Sequence, residues 1–220
     1  MLDNSSQSLA YQKMRDAIIH CEYVPGQKLS TRELEETFQL GRTPIREALV
    51  MLSVQGLIYT IPQSGTYVSK IDLSTASDLL FIRERIETSI VVESCARAND
   101  EGLASLRATL DDEQEAIDNH DARAFFNCDN HFHDELYQSA DRVSVREWLN
   151  ESNTHLERFR WLRTQVMTLD WEIIQSQHED IYAAICERDT EQASYLCSVH
   201  LHLMDAEKDA VVAAFPDYFT

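Results

Sequence analysis

Gly41-Arg42-Thr43-Pro44-Ile45-Arg46-Glu47-Ala48-Leu49 decides the fold of the amino-terminal part. Thr43 reads as an N-cap with Pro44 at the first helical position, and Ile45, Ala48, Leu49 and Leu52 follow at helical spacing until Gly56 supplies a stop. Immediately before it, Ser30 and Glu33 have the form of a capping box opening a short helix to about Gln39, and Gly41 punctuates the turn between the two. An earlier apolar stripe, Leu9, Met14, Ala17 and Ile18, predicts a helix that ends before Val24-Pro25-Gly26. Leu57–Ile61 and Thr66–Ser69 are β-prone runs around Pro62-Gln63-Ser64-Gly65, which reads as a hairpin or wing.

Beyond Lys70 the pattern is helical almost throughout, at about 74–98, 102–119, 122–139, 143–168, 171–187 and 190–214, with 215–220 expected as a loose tail. The fold class is therefore mainly α: a winged helix-turn-helix over 1–70, then an all-α bundle over 71–220. Charge marks the same boundary. Residues 1–70 hold seven Lys+Arg and seven Asp+Glu, so the whole net charge of −19 belongs to 71–220. Such a body repels phosphate over about 8 Å at physiological salt, and nucleic-acid contact has to come from a local basic cluster on the first part. The start of the chain lacks the basic-then-apolar profile of a secretory leader, and no apolar run approaches membrane length, so the chain reads as cytosolic with no membrane partner. Five scattered cysteines without a C-x-x-C pair indicate neither a disulfide framework nor a zinc ribbon.

Arg42, Thr43 and Arg46 cluster at the amino end of the second helix of the pair, the end that enters a major groove, and Arg32 lies early in the first. Arginine grips guanine bidentately. The alternative for each is an ion pair with Glu33, Glu36 or Glu47 on a solvated face. Taken together, Pro25–Leu34, Gly41–Leu49, Gly56-Leu57-Ile58 and Gly65–Val68 resemble the winged helix-turn-helix of the GntR family over residues 8–70. The resemblance implies operator contacts from Arg32, Arg42, Thr43, Arg46 and the wing-tip Gly65. It departs at Gly41, where a Ser or Thr is usual, so one phosphate-contacting hydroxyl is missing.

The second part offers a different chemistry. His178 and His200 each lie about eleven residues from the centre of the polar break Arg188-Asp189-Thr190-Glu191, so in an antiparallel helical hairpin both stand at one height, about 16 Å from the turn. Asp129 and His133 share a helix face at i and i+4. Three imidazoles and a carboxylate suit zinc or nickel better than manganese or iron, and leave an exchangeable position. Against this, His20, His120, His131, His155 and His202 show that histidine is plentiful, and a lone one on an apolar face is more often a hydrogen-bonded core residue.

Arg83 with Ile86-Glu87, Asp129-x-x-Phe132-His133, and His178 and His200 with Ala183, Asp189 and Ala193 between them resemble the FCD-type effector domain of the FadR subgroup over residues 74–205. The resemblance implies a divalent metal on Asp129, His133, His178 and His200, and a homodimer on palindromic operator DNA. A small carboxylate or sugar acid is the expected effector, with Arg83 its first charge partner; an ion pair of Arg83 with Glu84 or Glu87 is the competing role. Arg158, Arg160 and Arg163 receive no assignment. The metal alone could be the signal. A hydrolytic role, with the ion activating water, finds only Glu135 and Glu179 nearby and no H-E-x-x-H or nucleophile motif, so an enzyme is not expected and no catalytic residue is assigned.

Overall fold

The computed structural model describes residues 6–220; Met1–Ser5, part of the stretch that argued against a leader, lies outside them. Two compact units result. One takes the chain up to Ala76 together with Glu151–Trp161 and Phe215–Thr220, the other Ser77–Asn150 and Leu162–Ala214.

In the first unit α1 (Ser6–Ile19) buries Ala10, Met14, Ala17 and Ile18, and α3 (Arg42–Val54) buries Ile45, Ala48 and Leu52, so two stripes at helical spacing close on each other. Between them α2 (Thr31–Phe38) starts where the Ser30 hydroxyl accepts the Glu33 amide at 3.4 Å. The start of α3 differs from expectation: Gly41, not Thr43, is the N-cap, and Pro44 is the third helical residue. Proline is tolerated there because the amides of the first turn have no intrahelical acceptor. Gly56 ends α3 at φ +71, as its position predicts.

The wing consists of β2 (Ile58–Ile61) and β3 (Gly65–Val68), paired antiparallel from Ile58–Val68 to Ile61–Gly65. A third strand that sequence reasoning missed, β1 (Lys28–Leu29), adds to the free edge of β3, giving the order β1-β3-β2. The expected loose tail is a correction too. Ile71 donates to the Tyr218 carbonyl at 2.8 Å and accepts from the Thr220 amide at 3.0 Å, while Phe219 is buried beside Phe159.

The long helix expected over 143–168 is two, α7 (Val143–Ser152) and α8 (Thr154–Thr164), followed by an irregular stretch to Trp171. Asn153 sits at the break, and its carbonyl starts the second helix by accepting the Glu157 amide at 2.8 Å.

The second unit is built on α4 (Leu73–Arg97, from Ser77 onward), α5 (Asp100–Asp118), α6 (Ala122–Ser139), α9 (Glu172–Cys186) and α10 (Thr190–Ala214). Leu106, Leu110, Phe125, Phe132, Leu136, Ile181 and Ile185 form its interior, each contributing about 1.5–3 kcal/mol on burial. Asn99 caps α5 through the Gly102 amide at 2.8 Å, and Asp121 caps α6 through the Ala124 amide at 3.0 Å. Between α9 and α10 the chain reverses with Arg188 at φ +59, and its guanidinium anchors the turn by donating to the carbonyls of Cys95, in the last turn of α4, and of Ala98 just beyond it. That anchoring sets the height at which α9 and α10 face each other. Among the described residues all five cysteines are free, and no helix is long and apolar enough to cross a membrane.

Candidate metal centre

Helix α6 carries Asp129 and His133 one turn apart, α9 carries His178 and α10 His200, and all four are buried. Their ligand atoms lie within 4.8 Å of one another. His200 Nε2 stands 3.3 Å from both His133 Nε2 and His178 Nε2, and Asp129 Oδ1 is 3.8 Å from the first of those rings and 3.6 Å from the second. Two nitrogens bound to one ion at about 2.0–2.1 Å and at right angles are themselves about 3 Å apart, so the spacing matches donors sharing one cation.

The outer nitrogens fix which edge of each ring faces inward. His178 Nδ1 is 3.0 and 3.2 Å from the two Glu113 oxygens, His133 Nδ1 is 2.9 Å from Glu87 Oε2, and His200 Nδ1 is 3.0 Å from Gln177 Oε1. Acceptors at Nδ1 of His178 and His200, and the Glu87 carboxylate within ion-pair distance of His133 Nδ1, favour the ring proton on that side and leave three Nε2 lone pairs converging in a buried space. Unscreened lone pairs at 3.3 Å repel; a cation between them converts the repulsion into coordination. Phe132 stacks on His178 at 4.1 Å between centroids and holds the ring in plane.

Electrostatics agree. Burial, aided by the Arg83 charge, pushes His133 down to about 3, and burial with the neighbouring histidines holds His200 well below its ordinary value, so both are neutral bases at physiological pH. Burial, and secondarily Glu179, raises the Glu113 carboxyl to about 8. Burial alone would raise Glu87 as well, but Arg83, followed by His133 and Arg146, holds it below the usual carboxylate range.

Of the other expected residues, Arg83 is buried with its Nε 2.6 Å from Glu87 Oε1, so the ion pair forms with Glu87, while Glu84 accepts the Ser198 hydroxyl at 3.0 Å. Glu179 is held by two hydrogen bonds from Arg107, at 2.6 and 2.7 Å, and Glu135 accepts from Ser105 at 2.9 Å, so the carboxylates nearest in sequence have other partners. Arg158 donates to the Ser69 carbonyl and Arg163 to Glu207. Sequence reasoning missed Glu113 and Gln177. Glu113 had a signal: it falls in the apolar row Leu106, Leu110, Ile117 of α5, where a carboxylate needs a reason. Gln177 had none.

On the first unit, Arg42, Thr43 and Arg46 are exposed at the amino end of α3, and among the described residues neither arginine has an ion-pair partner, whereas Arg32 pairs with Glu36 at 2.9 Å on an open face. Gly65 opens β3 at φ +147, and a Cβ there would stand 2.6 Å from Lys28 Cε, so the wing packs a lysine of β1 against its tip.

Sequence comparison bears on both units. The family model described as bacterial regulatory proteins, gntR family, matches residues 7–68, and that of the FCD domain matches residues 78–203. The chain belongs to the GntR family and carries an FCD domain. It is similar to the HTH-type transcriptional repressor RspR of Escherichia coli K12, 28% identical over 210 residues, covering 96% of this chain and 92% of that one. It is also similar to the HTH-type transcriptional repressor GlaR of the same organism, 28% identical over 208 residues, covering 87% and 90%. Among solved structures, E. coli McbR/YncC shares its fold at a TM-score of 0.79 with 18% identity, covering 93% of this chain and 97% of that one. This GntR-family chain is accordingly a DNA-binding transcription regulator and not an enzyme.

Proposed function

We propose that this regulator binds one divalent metal ion, zinc as the cation that imidazole and carboxylate donors commonly hold, through Asp129, His133, His178 and His200, and that a small carboxylate or sugar acid reaching the metal changes its affinity for operator DNA. The observation that carries this reading is the convergence of three Nε2 atoms and one carboxylate oxygen, each ring having an oxygen acceptor behind it. Bound there, the cation supplies a Lewis-acidic position for an oxygen anion. Arg83, fixed by Glu87, is the charge partner for that anion.

Residues 1–70 serve as the reading head, with Arg32, Arg42, Thr43, Arg46 and Gly65 on DNA, and 71–220 as the metal-, effector- and dimer-forming body of the FadR subgroup. A single head reads a half-site weakly, so a two-fold dimer on a palindromic operator follows. Phe81 and Ile82 on α4 and Tyr195 and Val199 on α10, all exposed, offer apolar surface for it. Coupling of about 1–3 kcal/mol between effector and DNA corresponds to a 5- to 150-fold change in operator affinity.

The test measures affinity for a duplex selected from a random pool, with metal stripped, restored, and restored together with a panel of small organic acids. A shift of that size with an acid and metal together is expected. A shift with metal alone would make the ion itself the signal. Affinity indifferent to every addition, or no metal bound, overturns the reading.

A further inference from the structure

The register of the wing divides its side chains into two sets. Ile58 pairs with Val68, and together with Leu29 of β1 these turn into the interior of the first unit. Lys28 and Tyr59 both pair with Tyr67, so these three form one row on the opposite, outward face. Gly65 and Ile61, two residues away on β3 and β2, lie on that face too. Tyr59 and Tyr67 stack at 5.6 Å between centroids, and Tyr67 extends to the turn, its hydroxyl 2.6 Å from Ser64 Oγ.

Gly65 leaves a gap in this face, and Lys28 fills it. A Cβ on Gly65 would stand 2.6 Å from Lys28 Cε, 3.4 Å from Nζ and 3.6 Å from Cδ. The end of the lysine side chain therefore crosses the tip diagonally, in the space that a side chain at 65 would take. Lys28 is exposed, and among the described residues it has no ion-pair partner. Two other cations of the same unit are engaged, Arg15 with Glu157 and Arg32 with Glu36. Over residues 1–70 seven basic groups are matched by seven acidic ones, so phosphate is attracted only where a cation stands clear of carboxylates. At the end of the wing, Lys28 does.

We propose that Lys28 is a phosphate-binding residue of the reading head, carried to the wing tip across Gly65, and that the glycine serves DNA binding by keeping that path open. The inference rests on the reading that residues 1–70 dock on operator DNA with Gly65 at the contact, and it adds a residue which that reading left out. Duplex DNA carries one negative charge about every 1.7 Å along its axis, so a tip entering a groove has phosphates on both walls within reach of an ammonium beside it. A flexible stem ending in a compact point charge suits a phosphate and reads no base.

The experiment uses the full chain and a duplex selected from a random pool. One phosphate contact contributes about 0.9 to the slope of log affinity against log salt, so its removal flattens the loss of affinity between about 50 and 200 mM salt by about 3.5-fold for each subunit on the duplex. Lys28→Met, which keeps the stem over Gly65 and deletes the charge, should show that flattening, and Lys28→Arg should keep the wild-type slope. Both variants should prefer the selected duplex over one with a single base pair changed as strongly as the wild type does. Lys28 is exposed, so neither substitution disturbs the fold. A wild-type slope in Lys28→Met, an equally shallow slope in Lys28→Arg, or an altered base preference overturns the proposal. Arg46→Ala in the same titration separates the two levels: if it weakens binding, the head stands and only the lysine is removed, whereas if it too is without effect, the docking reading goes with it.

Discussion

Removing the metal from the helical unit should cost it a measurable part of its stability, and the size follows from the site. His133, His178 and His200 are held by Glu87, Glu113 and Gln177 with their Nε2 atoms 3.3 Å apart along both contacts to His200, so the folded state presents a formed site that the unfolded chain lacks. A ligand binding only the folded state stabilises by about 2.7 kcal/mol when present at a hundredfold its dissociation constant. For a chain of this size each kilocalorie moves the melting temperature by about 2–4 °C, so zinc buffered at that level should raise the transition by about 5–11 °C over the chelator-treated protein. Differential scanning calorimetry across a zinc-buffer series measures it, with Asp129→Asn as the control that keeps the volume of the side chain and removes its charge. A rise below about 1 °C, or an equal rise in Asp129→Asn, would refute the idea that these four donors share an ion.

Three further outcomes are expected. Arg46→Ala, which removes an exposed guanidinium from the amino end of α3, should weaken operator binding by about 1–3 kcal/mol at fixed salt, and an unchanged gel-shift titration removes that residue from the contact surface. Glu113→Gln, which takes the carboxylate from behind His178, should lower zinc affinity about 10- to 100-fold in chelator competition; equal affinity would mean that Glu113 does not orient the ring. Phe219→Ala should destabilise the first unit by about 3 kcal/mol in urea denaturation, since the ring is buried beside Phe159, whereas a tail without structural work would lose nothing.

The reading head was legible because its signals are local. Ser30 caps α2, Gly56 stops α3, and the apolar residues of both α1 and α3 repeat at helical spacing within a few turns. Even there, Thr43 has the hydroxyl suited to a cap, and the helix instead starts two residues earlier on Gly41, which offers no side-chain bond. Strand β1 is two residues long and exists only because β3 has a free edge, so no alternation could announce it. The tail was missed for a related reason: the Phe219–Ile71 pairing joins residues far apart in sequence, and no window of sequence contains both partners.

Arg83 shows where residue type stops being informative. An arginine four residues before Glu87 on one helix face is equally a ligand-binding group and half of an ion pair, and only burial decides how many of its donors are satisfied. The structure makes it both paired, through Nε, and incomplete, through Nη2. Glu113 is the opposite case, a carboxylate in an apolar row whose purpose becomes visible once His178 arrives from another helix.

The proposed metal ligands stand between these extremes, since His133, His178 and His200 meet from three helices at separations that would ordinarily hide the contact. What made them readable is that an antiparallel hairpin turns sequence distance into height. Residues equally far from its turn are level, whatever lies between, provided that the turn itself is fixed. Arg188 fixes it by tying the α9–α10 reversal to the carbonyls of Cys95 and Ala98, so a one-residue slip there would shift His178 against His200 by about 1.5 Å per residue of offset. The geometry of the centre thus depends on an arginine that touches none of the ligands, and a long-range contact can be read from sequence only where such an anchor keeps the two helices in register.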